Sequence, residues 1–210
     1  MRIMYDSTDP TKIPADAAMV AGYINGKYAW NSAGWARFPK AIKLRIDVTG
    51  IVPMSGDILD VEPGNLGQPE ITSAMSLEQV EHIWANLCAA AAKWVKAREA
   101  NNLGSTCYIE ASRKNQLAAA VDTAHCVYWM ADWGISQSEA EQKLTGAEVS
   151  IQFATGSYDT SAVRDDWWPT ASSIPVINKP STAPAAPAKT LKSVQVIATY
   201  SDGTTSEKTY

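Results

Sequence analysis

Residues Gly56-Asp57-Ile58-Leu59-Asp60-Val61-Glu62-Pro63-Gly64-Asn65 form a short apolar run that ends in two carboxylates and breaks at a Pro-Gly turn. Side chains alternate along a strand, so Ile58, Asp60 and Glu62 share one face while Leu59 and Val61 share the other. If Leu59 and Val61 pack beneath helices, the opposite face lines the inside of a closed sheet. Both acids then stand at the carboxyl end of the strand, where barrel enzymes build their sites. Burial at such a mouth raises one carboxyl pKa while its neighbour stays ionised, so that one site supplies an acid and an anion. The competing reading is a solvated strand end or a plain turn signal.

Other strand-like runs surround this one. Arg2 to Asp6 is short and apolar, ends on an acid and leads into Ser7-Thr8-Asp9-Pro10. Ala21 to Gly26 closes on Asn-Gly, Ala41 to Gly50 alternates, and Ile58 to Glu62 is the fourth run. Ser76-Leu77-Glu78-Gln79 then carries a capping-box signature, and Val80, Ile83, Trp84, Leu87, Ala91, Trp94 and Val95 continue at helical spacing. Asn101-Asn102-Leu103-Gly104 marks the end of that helix. Further strands are predicted at Thr106–Glu110, His125–Trp133, Val149–Ala154 and Ser157–Val163, with helical segments at Arg113–Val121 and Glu139–Lys143. Helices between the early strands and loops between the late ones predict an α/β protein, a TIM-like barrel that has lost its final helices. An open α/β sheet is the alternative, and no glycine-rich phosphate loop follows any strand.

Composition divides the chain. Residues 1 to 174 read as the barrel, and residues 175 to 190, with Pro180-Ser181-Thr182-Ala183-Pro184-Ala185-Ala186-Pro187, as a Pro/Ala-rich linker. Residues 191 to 210 read as a β-hairpin turning at Ser201-Asp202-Gly203, and are similar to the first hairpin of bacterial immunoglobulin-like modules. Two strands alone are marginal in water, so the hairpin is expected to dock on the barrel, a second copy or a virion protein. A net charge of -4 without a Lys/Arg run leaves no footprint for nucleic acid or an anionic membrane. The N-terminus lacks a signal-peptide core and no later stretch is long enough to span a bilayer, so synthesis in a host cytoplasm is expected. Cys88, Cys107 and Cys126, each among apolar neighbours, predict buried reduced thiols. With only His82 and His125, the ligand inventory is too thin for a zinc amidase, and neither metal nor cofactor is expected. A Cys-His peptidase is disfavoured because no cysteine opens an exposed helix.

Laid out in this order, the chain resembles glycoside hydrolase family 25, the lysozyme-like muramidases common in phage lysins, and the related domains of actinobacteria and their phages. The resemblance covers residues 2 to 168 and is strongest at Asp60-Val61-Glu62, which matches an Asp-x-Glu motif. Asp6 is similar to the family's first-strand aspartate, Tyr128-Trp129-Met130-Ala131-Asp132-Trp133 to its aromatic sixth strand, and Ile151-Gln152-Phe153 with Gly156 and Asp159 to its closing pattern. Phe153 stands where tyrosine is usual, and no tryptophan precedes Gln152.

The resemblance implies a barrel of the (β/α)5(β)3 type and cleavage of a β-1,4 bond in peptidoglycan. Glu62 is the expected acid. Asp60 would remain ionised, either to stabilise the developing cation or to orient a substrate acetamido group. Asp6 and Asp159 would position substrate or tune Glu62, a capping or turn role being the alternative for each. Tyr28, Trp30, Tyr128, Trp129 and Trp133, with Asp132 and Gln152, are the expected glycan-binding residues, although aromatics pack in cores more often than they carry sugars. The second reading is a non-catalytic virion component that adheres to cell-surface glycans.

Overall fold

Eight strands close into a barrel in the order in which the chain makes them. They are β1 (Arg2–Asp6), β2 (Met19–Tyr23), β3 (Ile42–Asp47), β4 (Ile58–Asp60), β5 (Ser105–Glu110), β6 (Cys126–Ala131), β7 (Glu148–Ala154) and β8 (Asp159–Val163). The structure is a computed structural model. It describes residues 1–51, 55–121 and 125–167, and the backbone of 195–199 and 205–209. Neighbours from β1 to β7 pair in parallel, whereas β8 runs antiparallel to both β7 and β1. The α-helices are α1 (Ser32–Ala36), α2 (Leu77–Glu99), α3 (Lys114–Val121) and α4 (Gln137–Lys143), joined by 3-10 turns at Pro10–Lys12 and Ala111–Arg113. Helical segments thus follow β1, β2, β4, β5 and β6, and β8 follows β7 directly. This is the α/β barrel with missing final helices that the strand pattern predicts.

Two apolar layers hold it. Met4, Met19, Leu44, Ile46, Ile58, Val127, Trp129, Val149 and Trp167 fill the interior. Leu59 and Val61 face outward and pack with Cys107 and Ile109 against Ile83, Trp84, Leu87, Ala91, Trp94 and Val95 of α2. Each of these large side chains removed from water contributes about 1.5–3 kcal/mol. The register of α2 is set at its start, where Ser76 Oγ accepts from Gln79 N and Gln79 Oε1 accepts from Ser76 N, at 3.3 and 2.8 Å. The same reciprocal cap opens α4 between Ser136 and Glu139. The three thiols are free and buried, Cys107 and Cys126 with sulfurs 3.7 Å apart.

The second strand departs from expectation. It spans Met19–Tyr23 rather than Ala21–Gly26, because Met19, Val20, Ala21 and Gly22 are all buried and offer no alternation to read. Asn25-Gly26 lies in the turn beyond, with Gly26 at φ 75°. Gly22 is required where it stands, since a Cβ there would meet the Trp30 ring at 2.5 Å.

The chain separates into two units, Met1–Ile177 and Asn178–Tyr210. In the second, β9 (Gln195–Thr199) and β10 (Thr205–Thr209) pair antiparallel, with Thr199 opposite Thr205. The expected boundary at 174, the linker at 175–190 and Trp168 lie outside the described residues.

Candidate active site

The carboxyl ends of the parallel strands place their terminal side chains around one mouth, and β8, running the other way, brings its first residue there. Asp6 ends β1, Asp60 ends β4 and Asp159 opens β8. The chain keeps its extended path beyond β4, with Val61 N donating to Tyr108 O at 3.0 Å, so Glu62 falls on the same face as Asp60. Gly64, at φ 88°, then turns the chain, and Asn65 N donates to Glu62 O at 3.1 Å. A cavity of about 330 Å³ is lined by Asp6, Asp60, Glu62 and Asp159 together with Tyr23, Tyr108, Trp129, Trp133 and Gln152. Asp60, Glu62 and Tyr23 also line a larger groove of about 880 Å³, which is walled by the loops after β2, β3 and β4.

All four acids have raised pKa values, through burial first and, for Asp6, Asp60 and Glu62, through neighbouring carboxylates as well. Burial pushes Glu62 up to about 7, helped by the charges of Glu110, Asp159 and Glu70 and opposed by a hydrogen bond from Tyr108. Asp60 is also held well above the usual carboxylate range, by burial first and Glu62 second, against a hydrogen bond from Asn65. Burial and the neighbouring Glu62 thus both oppose the ionised form of Asp60 expected from the sequence, since only 4% of the residue is exposed. Asp6 is raised by burial, then by Asp159 and Glu62. Asp159 is raised by burial, less strongly, because Gly156 and Gln152 hydrogen-bond its carboxylate. Asp6 Oδ2 and Asp60 Oδ1 have no hydrogen-bond partner among the described residues. Tyr23 and Tyr108 are both shifted upward, chiefly by burial and then by the surrounding carboxylates, so their hydroxyls stay protonated as donors.

The expected glycan-binding residues divide. Trp129 forms part of the cavity wall with its Nε1 donating to Ser161 Oγ at 3.0 Å, and Gln152 and half-exposed Trp133 line the same cavity. Tyr28 lines the larger groove. Trp30 does not reach the mouth: it is buried against Trp35 and Phe38, its Nε1 donating to Ser7 O at 3.0 Å. Tyr128 points away, because strand alternation sends Val127, Trp129 and Ala131 inward and Tyr128 outward, where Lys114 Nζ of α3 lies 5.6 Å from its ring centre. Asp132 pairs with Lys143 Nζ at 2.5 Å, outside the cavity lining. Sequence reasoning missed Tyr23, Tyr108, Asn65, Glu70 and Glu110. Glu110 ends β5 as Asp6 ends β1, so the strand-end rule that found the others was signal enough. No group of three or more metal-ligating side chains with suitable geometry occurs among the described residues.

No protein-family model and no curated protein matches the chain. Among solved structures, it is similar to the bacterial lysozyme from Streptomyces coelicolor at 13% identity, covering 77% of this chain and 91% of that one with a TM-score of 0.39.

Proposed function

We propose that the chain is a glycoside hydrolase of the family 25 type that cleaves a β-1,4 bond in peptidoglycan. One observation carries the reading: four carboxyl groups from three segments of the barrel converge on one cavity beside aromatic side chains, where burial pushes Glu62 up to about 7. A carboxyl so tuned keeps a large protonated fraction near neutrality and is able to donate its proton to a leaving sugar oxygen. Asp60, beside it, acts in its ionised form, either to stabilise the positive charge that develops at the anomeric carbon or to orient a neighbouring acetamido group. Tyr108 orients Glu62 through its hydroxyl, Gln152 holds Asp159, and Trp133 and Tyr28 offer ring faces to sugars. A phage lysin acting at the host cell wall is the setting this chemistry suits.

The second reading is a virion component that adheres to cell-surface glycans without cutting them and docks through residues 191–210. The two-stranded sheet of β9 and β10 favours it, since so small a sheet gains stability from an added strand. Incubation with purified Gram-positive walls separates the two. New reducing ends released by the native chain and lost in Glu62→Gln support the hydrolase. Equal release by both removes Glu62 from the mechanism, and adhesion without release on several walls supports the second reading.

A further inference from the structure

The cleft has an imbalance of charge and of hydrogen-bonding capacity that the cleavage chemistry does not use. Five carboxyl groups, of Asp6, Asp60, Glu62, Glu70 and Asp159, line the cavity and the groove that opens from it. Against them stands one cationic side chain among the described lining residues, Lys27, whose Nζ is 3.8 Å from Glu70 and 4.8 Å from the centre of the Tyr28 ring.

Several of the donors are committed already. Asn25 Nδ2 donates to Asp47 Oδ1 at 2.7 Å, Trp129 Nε1 donates to Ser161, Tyr108 is spent on Glu62, Asn65 on Asp60 and Gln152 on Asp159. Acceptor capacity remains: Asp6 and Asp60 line the cavity, each only 4% exposed, and each keeps one carboxyl oxygen without a partner among the described residues. Buried acceptors of this kind are costly to leave unmatched, and a ligand rich in donors relieves them.

We propose that the cleft takes amino-sugar glycans whose hexosamines carry free amino groups, with an ammonium lying among the carboxyls of Asp60, Glu62 and Glu70. An ammonium brings three donors and a positive charge that favours the ionised forms of Asp60 and Glu62, which burial opposes and which Lys27, paired with Glu70, does not offset. An N-acetylated sugar brings a neutral amide with one N–H, and its carbonyl competes for donors already engaged. An anionic sugar meets like charge. The inference rests on the glycan-cleaving reading above and narrows its substrate class to partly de-N-acetylated polymers.

Titration calorimetry of the full chain at neutral pH tests it with three probes: a glucosamine hexamer, an N-acetylglucosamine hexamer and an oligogalacturonate hexamer. The glucosamine hexamer is expected to bind at least about tenfold more tightly than the acetylated one, and the oligogalacturonate not at all. Glu70→Gln, an exposed substitution, is expected to weaken glucosamine binding about threefold while leaving the acetylated probe unchanged; Glu141→Gln, on α4, is expected to change neither. Acetylated binding as tight as glucosamine binding overturns the inference, as does any oligogalacturonate binding, no glucosamine binding, or an equal effect of the two substitutions. Because these readouts are of binding, they separate from the wall assay. Wall cleavage without amine preference leaves the hydrolase standing and removes the inference; amine-selective binding without cleavage does the reverse.

Discussion

Asp6 and Asp159 are register partners across the seam where β1 meets β8. Two acids therefore close the barrel at its mouth, and the charge of Asp159 reaches both Asp6 and Glu62. The seam is thus an electrostatic control on the candidate acid, and it can be perturbed without touching Glu62.

Asp159→Asn removes a charge that holds Glu62 up, so Glu62 falls below about 7. An acid that must be protonated is then lost at lower pH, and the alkaline limb of the wall-hydrolysis profile moves toward acid. A pH profile of kcat/KM checks this; an unmoved limb refutes the coupling.

Tyr108→Phe acts in the opposite direction. The Tyr108 hydroxyl favours the ionised form of Glu62, so its loss raises the Glu62 pKa and moves the alkaline limb toward base. Removing the hydrogen bond also costs about 1 kcal/mol of stability, read from chemical denaturation.

Glu62→Gln should lower wall hydrolysis by about 10²- to 10⁴-fold, the usual loss of a general acid. Its stability should change in a pH-dependent way as well. The native pKa of about 7 lies above the ordinary 4.5, so the native state binds the extra proton and loses stability as pH rises through that window. Below pH 4.5 the charge penalty vanishes, and melting temperatures show no pH-dependent gain. Above pH 7 the variant should be more stable, by up to about 3 kcal/mol before solvent screening is counted.

Asp47→Ala tests the groove wall. Asp47 is fully buried, and its Oδ1 accepts from Asn25 Nδ2, Thr49 N, Thr49 Oγ1 and Gly50 N at 2.7 to 3.0 Å. Losing this hub leaves partly buried donors unmatched and should cost about 2–4 kcal/mol. Because Asn25 and Thr49 line the groove, KM for wall substrate should rise more than kcat falls.

The legible parts of the fold share a local physical signal. The capping box of Ser76 and Gln79, the apolar stripe of α2 and the inside-outside alternation at Ile58 to Glu62 each lie within a few residues of one another in sequence. The parts that escaped are those set by distant partners. β2 was misplaced because burial on both sides erased its alternation. Trp30 and Tyr128 carry the composition of a sugar platform, yet the packing of Gly22 and the parity of β6 turn them into core. Tyr108 and Asn65 became site residues only through the pairing of β4 with β5 and the turn after Glu62.

The inverted final strand also decides where the barrel's ends emerge. Val163 lies opposite Arg2, and the Met1 amino group pairs with Asp165, so the first and last turns of the barrel meet at the floor, away from the acid-lined mouth. Joining residue 167 to residue 1 by a short peptide and reopening the chain elsewhere should preserve the mouth. The barrel is in this sense a natural candidate for circular permutation and for tethering by its base.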